Sequence, residues 1–521
     1  MAVRLDRKRR RLLAAGGAVG VSAAVGAVVW RQHRATRTPA AIEDSAFPHR
    51  LRLPAGEGLY GIYDAAGSFT LVAKPVRHAV LEGRPTILLA YEIEQESRVY
   101  LNPVLRVRRG TALRVRYWNA LDEASIVHWH GLKLDTNNDG HPHYAVDAGA
   151  TYDYQFTVEN RAGTYWYHPH PHRLAARQAY RGLAGFFIVD DAEDLALRNA
   201  LGLALGTTDI PLMIQDKRIA DDGALLYAPE EHERMHGHYG DRLLVNLAPA
   251  PHLDVETRIY RLRLLNASNA RIYRLAFLHG ERALDFAVIG GDGGLLARPV
   301  AARELFLAPA ERADVLLDLS SASTGDRVIL ASLPFDFMQG SRSPTALPCV
   351  PLGLVLFRIV RPVRYAAAIP RTLSTLEPVE EASGPTRRFT LDFRAGVWRI
   401  NGASYRMTET AFAVKRDTCE IWEFSSTGTP MPHPIHVHGY QFRTLERRSA
   451  ASHRRSAYAH RNGLAPTELG WKDTVLLWPG ETIRLAMDFS HAHTGDQVYM
   501  LQCHNLEHES HGMMVNFRVS A

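Results

Sequence analysis

The chain has 521 residues, 46% of them hydrophobic and 22% charged, a balance that excludes a disordered chain, a collagen-like repeat and a polytopic membrane protein. At roughly 150 residues per domain, this length predicts about three domains. The formal charge of +6 is uneven: residues 1–37 hold nine Lys/Arg and Asp6, a net of +8, which leaves the remainder at −2 without the basic surface of a nucleic-acid reader.

At the N-terminus, Arg7, Lys8, Arg9, Arg10 and Arg11 precede Leu12 to Trp30, 19 residues without a charge. A basic start followed by an apolar run is an export segment. Arg9-Arg10-Arg11-Leu12-Leu13 also resembles the twin-arginine signal of bacteria. The run is long for a cleaved apolar core and just long enough to cross a bilayer, so residues 1–45 read as a signal or membrane anchor with a linker. Ser22-Ala23-Ala24 is only a weak cleavage site. Both readings put the body of the protein in the periplasm or elsewhere outside the cytoplasm.

Beyond residue 45 the dominant periodicity is two, the mark of half-buried strands. Leu113, Val115 and Tyr117 alternate with Arg114 and Arg116, and Ile483, Leu485, Met487 and Phe489 alternate with Arg484, Ala486 and Asp488. Long amphipathic patterns are scarce, so the fold class is all-β. Arg114 to Ala120 resembles Arg261 to Ala267, and Glu420 to Phe424 is a weaker third copy. This faint repeat, with the length, predicts β-sandwich domains over 46–190, 200–360 and 387–521. The Pro-containing stretch 361–386 reads as a linker across the surface.

The 25 histidines are clustered. In chain order the clusters are His128-Trp129-His130-Gly131, then Tyr167-His168-Pro169-His170, then His433-Pro434-Ile435-His436-Val437-His438-Gly439, then Cys503-His504 with His508 and Met513. On a strand, residues two apart share a face, so each His-x-His pair aims two imidazoles at one place. Cys503, His508 and His433 offer a thiolate and two imidazoles, and Met513 adds a soft axial thioether, the ligand set of a blue-copper site. In an extended chain His504 points away from Cys503, so a metal on each is joined by a short bonded path. His141, His143, His236 and His238 read as surface residues, and His172 is left outside the clusters. Three cysteines cannot form a disulfide framework; Cys349 and Cys419 are either one bridge or two separate thiols.

With these four motifs, together with Gln215-Asp216-Lys217 and Gly470-Trp471-Lys472-Asp473, residues 46–521 resemble the three-domain multicopper oxidases, the laccase-like group that includes bacterial copper-efflux oxidases and spore-coat laccases. The resemblance implies three cupredoxin-like Greek-key sandwiches, with a trinuclear copper cluster between the first and third. It implies type 1 copper on His433, Cys503 and His508 with Met513 axial, and type 2 copper on His128 and His436. The type 3 pair falls to His130, His168 and His504 on one copper and His170 and His438 on the other. About four copper ions are expected on this pattern. The implied chemistry is one-electron oxidation of a small reducing substrate, with electrons entering at an exposed edge of His508 or His433 and passing through Cys503 to reduce oxygen to water. Asp139 and Glu509 match the family's acidic positions, where a proton relay is expected.

The chain departs from the family at Gln502-Cys503-His504, where His-Cys-His is usual. A Gln carbonyl is a harder and weaker copper ligand than imidazole, so a metal there is expected to be looser or to take an extra water. The alternative function is a periplasmic copper-binding electron-transfer or envelope-scaffold protein with little oxidase activity. The ten Met form no cluster of the kind that suits Cu(I), which points to phenols and aromatic amines ahead of metal ions as donors. The Arg-rich stretch from Arg447 to Arg461 reads as a solvated loop.

Overall fold

The computed structural model describes residues 46–335, 351–378, 382–426, 429–448, 457, 460–490 and 493–520. The expectations for the N-terminal segment and for Cys349 lie outside these residues. Among the described residues, no helix is long and apolar enough to cross a membrane.

The all-β expectation holds: the described residues form six sheets, paired face to face around three hydrophobic cores. In the first pair, a six-stranded sheet containing Ala112–Asn119 faces a five-stranded sheet containing Val127–His130 and Gly163–Pro169. Strict alternation along Ala112–Asn119 buries Leu113, Val115 and Tyr117 against Trp129, Tyr167 and Phe187 of the opposite sheet. Two seven-stranded sheets form the middle pair, and a six- and a five-stranded sheet between residues 386 and 520 form the last.

The faint sequence repeat occupies equivalent places. Ala112–Asn119, Ile259–Asn266 and Cys419–Ser425 each lie between one parallel and one antiparallel neighbour. One feature differs from the sequence reading. His49–Arg50, assigned by sequence to the first domain, instead adds a parallel edge strand to the middle pair, opposite Pro251 and His252. The stretch after residue 361 is anchored along its path, where Ser374 Oγ donates to the Leu295 and Leu296 carbonyls and Leu373 N–H donates to Ala297 O.

Arg114 and Arg116 face solvent, whereas their repeat counterparts Arg261 and Arg263 are fully buried. Arg263 makes a two-pronged contact with Asp209 at 2.6 and 2.7 Å, and Arg261 bonds Asp194 and Asp314. Thr164 of the first pair also donates to Asp314, at 2.7 Å, so this cluster ties the first and middle sandwiches together. Removing one partner would strand a buried charge. Arg261→Met is therefore expected to cost about 3–5 kcal/mol, read as a lower urea midpoint at unchanged slope.

Candidate metal centres

Cross-strand register brings the histidine motifs together. Val127–His130 runs antiparallel to Gly163–Pro169 with His128 opposite His168. His433–Val437 lies between Thr474–Leu477 and Gln497–Cys503, with His436 opposite both Thr474 and Gln502. On the first strand Trp129 turns into the core while His128 and His130 turn outward to one shared space. His128, His130, His168, His170, His436, His438, His504 and Gln502 are all essentially inaccessible to solvent.

Their nitrogens converge. His128 Nε2 lies 3.4 Å from His436 Nε2, and His168 Nε2 lies 3.3 Å from His130 Nδ1 and 3.4 Å from His504 Nε2. The outward nitrogens are spoken for: His128 Nδ1 donates to Asp139 O at 2.6 Å, His436 Nδ1 to Asp473 O at 2.9 Å, and His168 Nδ1 to Pro169 O at 3.1 Å. His438 Nδ1 donates to Asp139 Oδ2 at 2.7 Å. Each donation fixes the tautomer and leaves a lone pair pointing inward. Burial, reinforced by neighbouring imidazoles, pushes His128, His130, His168, His436 and His438 well below the ordinary histidine range, so the rings are neutral. Neutral acceptors facing one another at this separation without a proton between them suit a cation.

A second set lies on the far side of Cys503. Its Sγ is 3.5 Å from His433 Nδ1 and 3.4 Å from His508 Nδ1. Asn505 caps the short helix Leu506–Ser510, its side chain accepting from the Glu507 and His508 amides. The loop closes when Met513 N–H donates to His508 O and Cys503 N–H donates to Met513 O, which brings buried Met513 into the same core as Cys503. Burial pushes the thiol far above its usual range, so a metal must displace its proton. One thiolate, two imidazole nitrogens and a thioether suit copper, and the imidazole cluster suits it equally. His504 follows Cys503 directly and reaches the cluster, which joins the two sets through one peptide bond.

Gln502 takes the place where a further imidazole was expected. His170 Nε2 donates to its Oε1 at 3.0 Å, while the Gln502 amide nitrogen and His438 Nε2 are buried without a hydrogen-bond partner. Of the two acidic candidates, Asp139 sits against His438, and Glu509 Oε1 lies 3.8 Å from His170 Nε2. Each keeps one buried oxygen without a partner.

Sequence reasoning gave no role to Asp473 or Arg312. Asp473 Oδ1 accepts from His130 Nε2 at 3.0 Å, and both its oxygens pair with the fully buried Arg312. Only the family stretch around Trp471 hinted at the aspartate, and nothing near Arg312 did. Other expectations are corrected. His433 and His508 have no exposed edge, because His508 Nε2 donates to Met235 O at 2.9 Å and both rings are fully covered. His141 and His238 are buried rather than on the surface: His141 donates to Asn516 Oδ1, and the His238 amide donates to Glu507. Arg447 is likewise buried, bonded to Glu468 and Glu481, although the loop that follows it lies largely outside the described residues. His172 lies beside Tyr405, the ring centroids 5.1 Å apart and the planes tilted by 52°.

Two family models described as multicopper oxidase match residues 96–194 and 379–521. The chain is 33% identical to the laccase of Bacillus subtilis (strain 168), over 75% of this chain and 78% of that one. It is 31% identical to the cell division protein FtsP of Sodalis glossinidius, over 81% and 83%. Its structure resembles the McoA multicopper oxidase of the hyperthermophile Aquifex aeolicus, with a TM-score of 0.81 and 39% identity across 91% of this chain and 99% of that one.

Asp473→Ala should strip the partner from a buried Arg312 and the acceptor from His130. A loss of about 3–5 kcal/mol in urea unfolding is expected. Copper affinity, measured by competition with a chelator, should fall by about 10–100-fold.

Proposed function

Because this chain belongs to the multicopper oxidase family, and is thereby an oxidoreductase, we propose that it is laccase-like, coupling one-electron oxidation of phenolic or aromatic donors to reduction of oxygen to water. The observation that carries this reading is the direct bond between residues 503 and 504, with Cys503 among two imidazoles and His504 in the cluster. Type 1 copper would be held by His433, Cys503 and His508 with Met513 as a further donor, and type 2 copper by His128 and His436. The type 3 pair fits His130, His168 and His504 on one side and His170, His438 and Gln502 on the other. When bound, copper supplies one-electron acceptance at Cys503 and four-electron reduction of oxygen at the imidazole cluster.

The protein's own groups do the rest. Asp139 orients His438 and Glu509 stands beside His170, each with a free oxygen that can hold a proton for oxygen reduction. Burial excludes bulk water from both sets of ligands. Metal ions are a secondary class of donor in this proposal. Export by the twin-arginine route, with the body in the periplasm and the N-terminal segment cleaved or kept as an anchor, belongs to the same proposal and is supported by Arg9-Arg10-Arg11 ahead of the apolar run.

A second reading, a copper-binding electron-transfer or envelope-scaffold protein, is favoured by Gln502 and by the similarity to FtsP. Copper loading separates the two. Close to about four coppers per chain with donor-dependent oxygen uptake is the expected result, and about one to three with blue colour but no uptake would support the second reading. Gln502→His should raise turnover by roughly 10-fold and leave the blue absorption nearly unchanged. In stopped-flow measurements, Asp139→Asn should slow oxygen reduction by about 100-fold while reduction of the blue centre by the donor changes little.

A further inference from the structure

The two imidazoles beside Cys503 are sealed, so a donor cannot touch either of them. The group that seals them is an indole. Trp398 lies on the hairpin strand Val397–Ile400, with its ring centroid 4.7 Å from that of His433 and 4.8 Å from that of His508. Its Nε1 donates to Met235 O at 3.0 Å, the same carbonyl that accepts from His508 Nε2. Trp398 is therefore locked against both rings by contact and through a shared acceptor. It is itself 3% exposed.

A second ring leads outward. Phe393 is the cross-strand partner of Trp398 in the hairpin, so both side chains stand on one face. Their centroids are 4.7 Å apart, and Phe393 is half-buried and reaches solvent. Met235 is also half-buried, at the end of the short helix Glu231–His236. The outer end of this ring series is thus a half-buried phenyl ring with a half-buried methionine packed against the same core, residue types that receive a planar aromatic molecule.

We propose that electrons reach the Cys503 centre from an aromatic donor seated at Phe393 and Met235, through the indole of Trp398, and not through an imidazole edge. The proposal rests on the laccase-like reading above and specifies where and how its donor is engaged. The donor, a phenol, gives up one electron and releases its hydroxyl proton to solvent, and the copper(II) ion at Cys503 becomes copper(I). Trp398 and Phe393 neither gain nor lose an electron in the net step; they supply contact between donor and ligands. Trp398 is in this sense a positioning and relay residue rather than a catalytic one.

The test is anaerobic stopped-flow bleaching of the blue absorption by a methoxyphenol, with copper content and the reduction potential of the blue centre measured on the same samples. With potential and copper content unchanged, Trp398→Leu is expected to slow bleaching by about 10-fold or more, and Phe393→Ala to slow it also. Trp398→Phe, which keeps a ring, should restore most of the rate. Equal rates in wild type and Trp398→Leu would overturn the proposal. So would a Trp398→Phe protein that retains blue colour and potential yet bleaches as slowly as Trp398→Leu. A copper-loaded wild type without blue absorption would instead overturn the laccase-like reading, and the relay with it.

Discussion

The ion pair between Arg312 and Asp473 is the interaction on which the rest of the centre depends. Arg312 comes from the middle sandwich, fully buried, and also donates to Thr164 O of the first sandwich at 3.0 Å. Asp473 comes from the last sandwich and touches two histidines at once, His130 through its carboxylate and His436 through its carbonyl. Three separately folded cores thus meet at one charge pair beside the imidazole cluster. A buried pair of this kind is poor evidence of stability for its own sake, since a hydrophobic replacement can serve as well. Its value here is directional: it fixes which nitrogen of His130 and His436 faces inward.

Fixing those nitrogens is the main work of the fold around the site. Seven histidines packed without solvent would repel one another if charged, and burial keeps them neutral. Neutral rings choose their tautomer by their outward hydrogen bond, and the acceptors are carbonyls and carboxylates, some close in sequence (Pro169 for His168, Asp139 for His128) and some distant (Asp473 for His130, Asp139 for His438). The pattern gives a set of lone pairs prepared for a metal. Around Cys503 the same device recurs with Met235 O, and there it also closes the site to solvent.

Gln502 changes the character of one corner. An imidazole at that place would offer a nitrogen lone pair, whereas the amide offers a harder carbonyl oxygen and an NH2 donor. Its oxygen already accepts a hydrogen bond from His170, and its nitrogen is buried without a hydrogen-bond partner. The neighbouring corner is built from three imidazoles, His130, His168 and His504, so the two halves of the cluster are chemically unequal.

Much of this was legible in the sequence by itself. Period-two alternation determined the strands, and because strand neighbours two apart share a face, each His-x-His motif determined a pair of rings aimed at one place. The adjacency of Cys503 and His504 determined that two sets of candidate ligands share a covalent path, and the substitution at Gln502 was visible as a departure from the family pattern. Tertiary structure alone decided the partners. His130 and Asp473 are separated by 343 positions and His438 and Asp139 by 299, and no local periodicity encodes a contact over such a distance. The same holds for the burial of His433 and His508, which follows from Trp398 and Met235 arriving from two other parts of the chain. Which residues can face one another follows from backbone geometry, but which groups complete them depends on how three sandwiches pack.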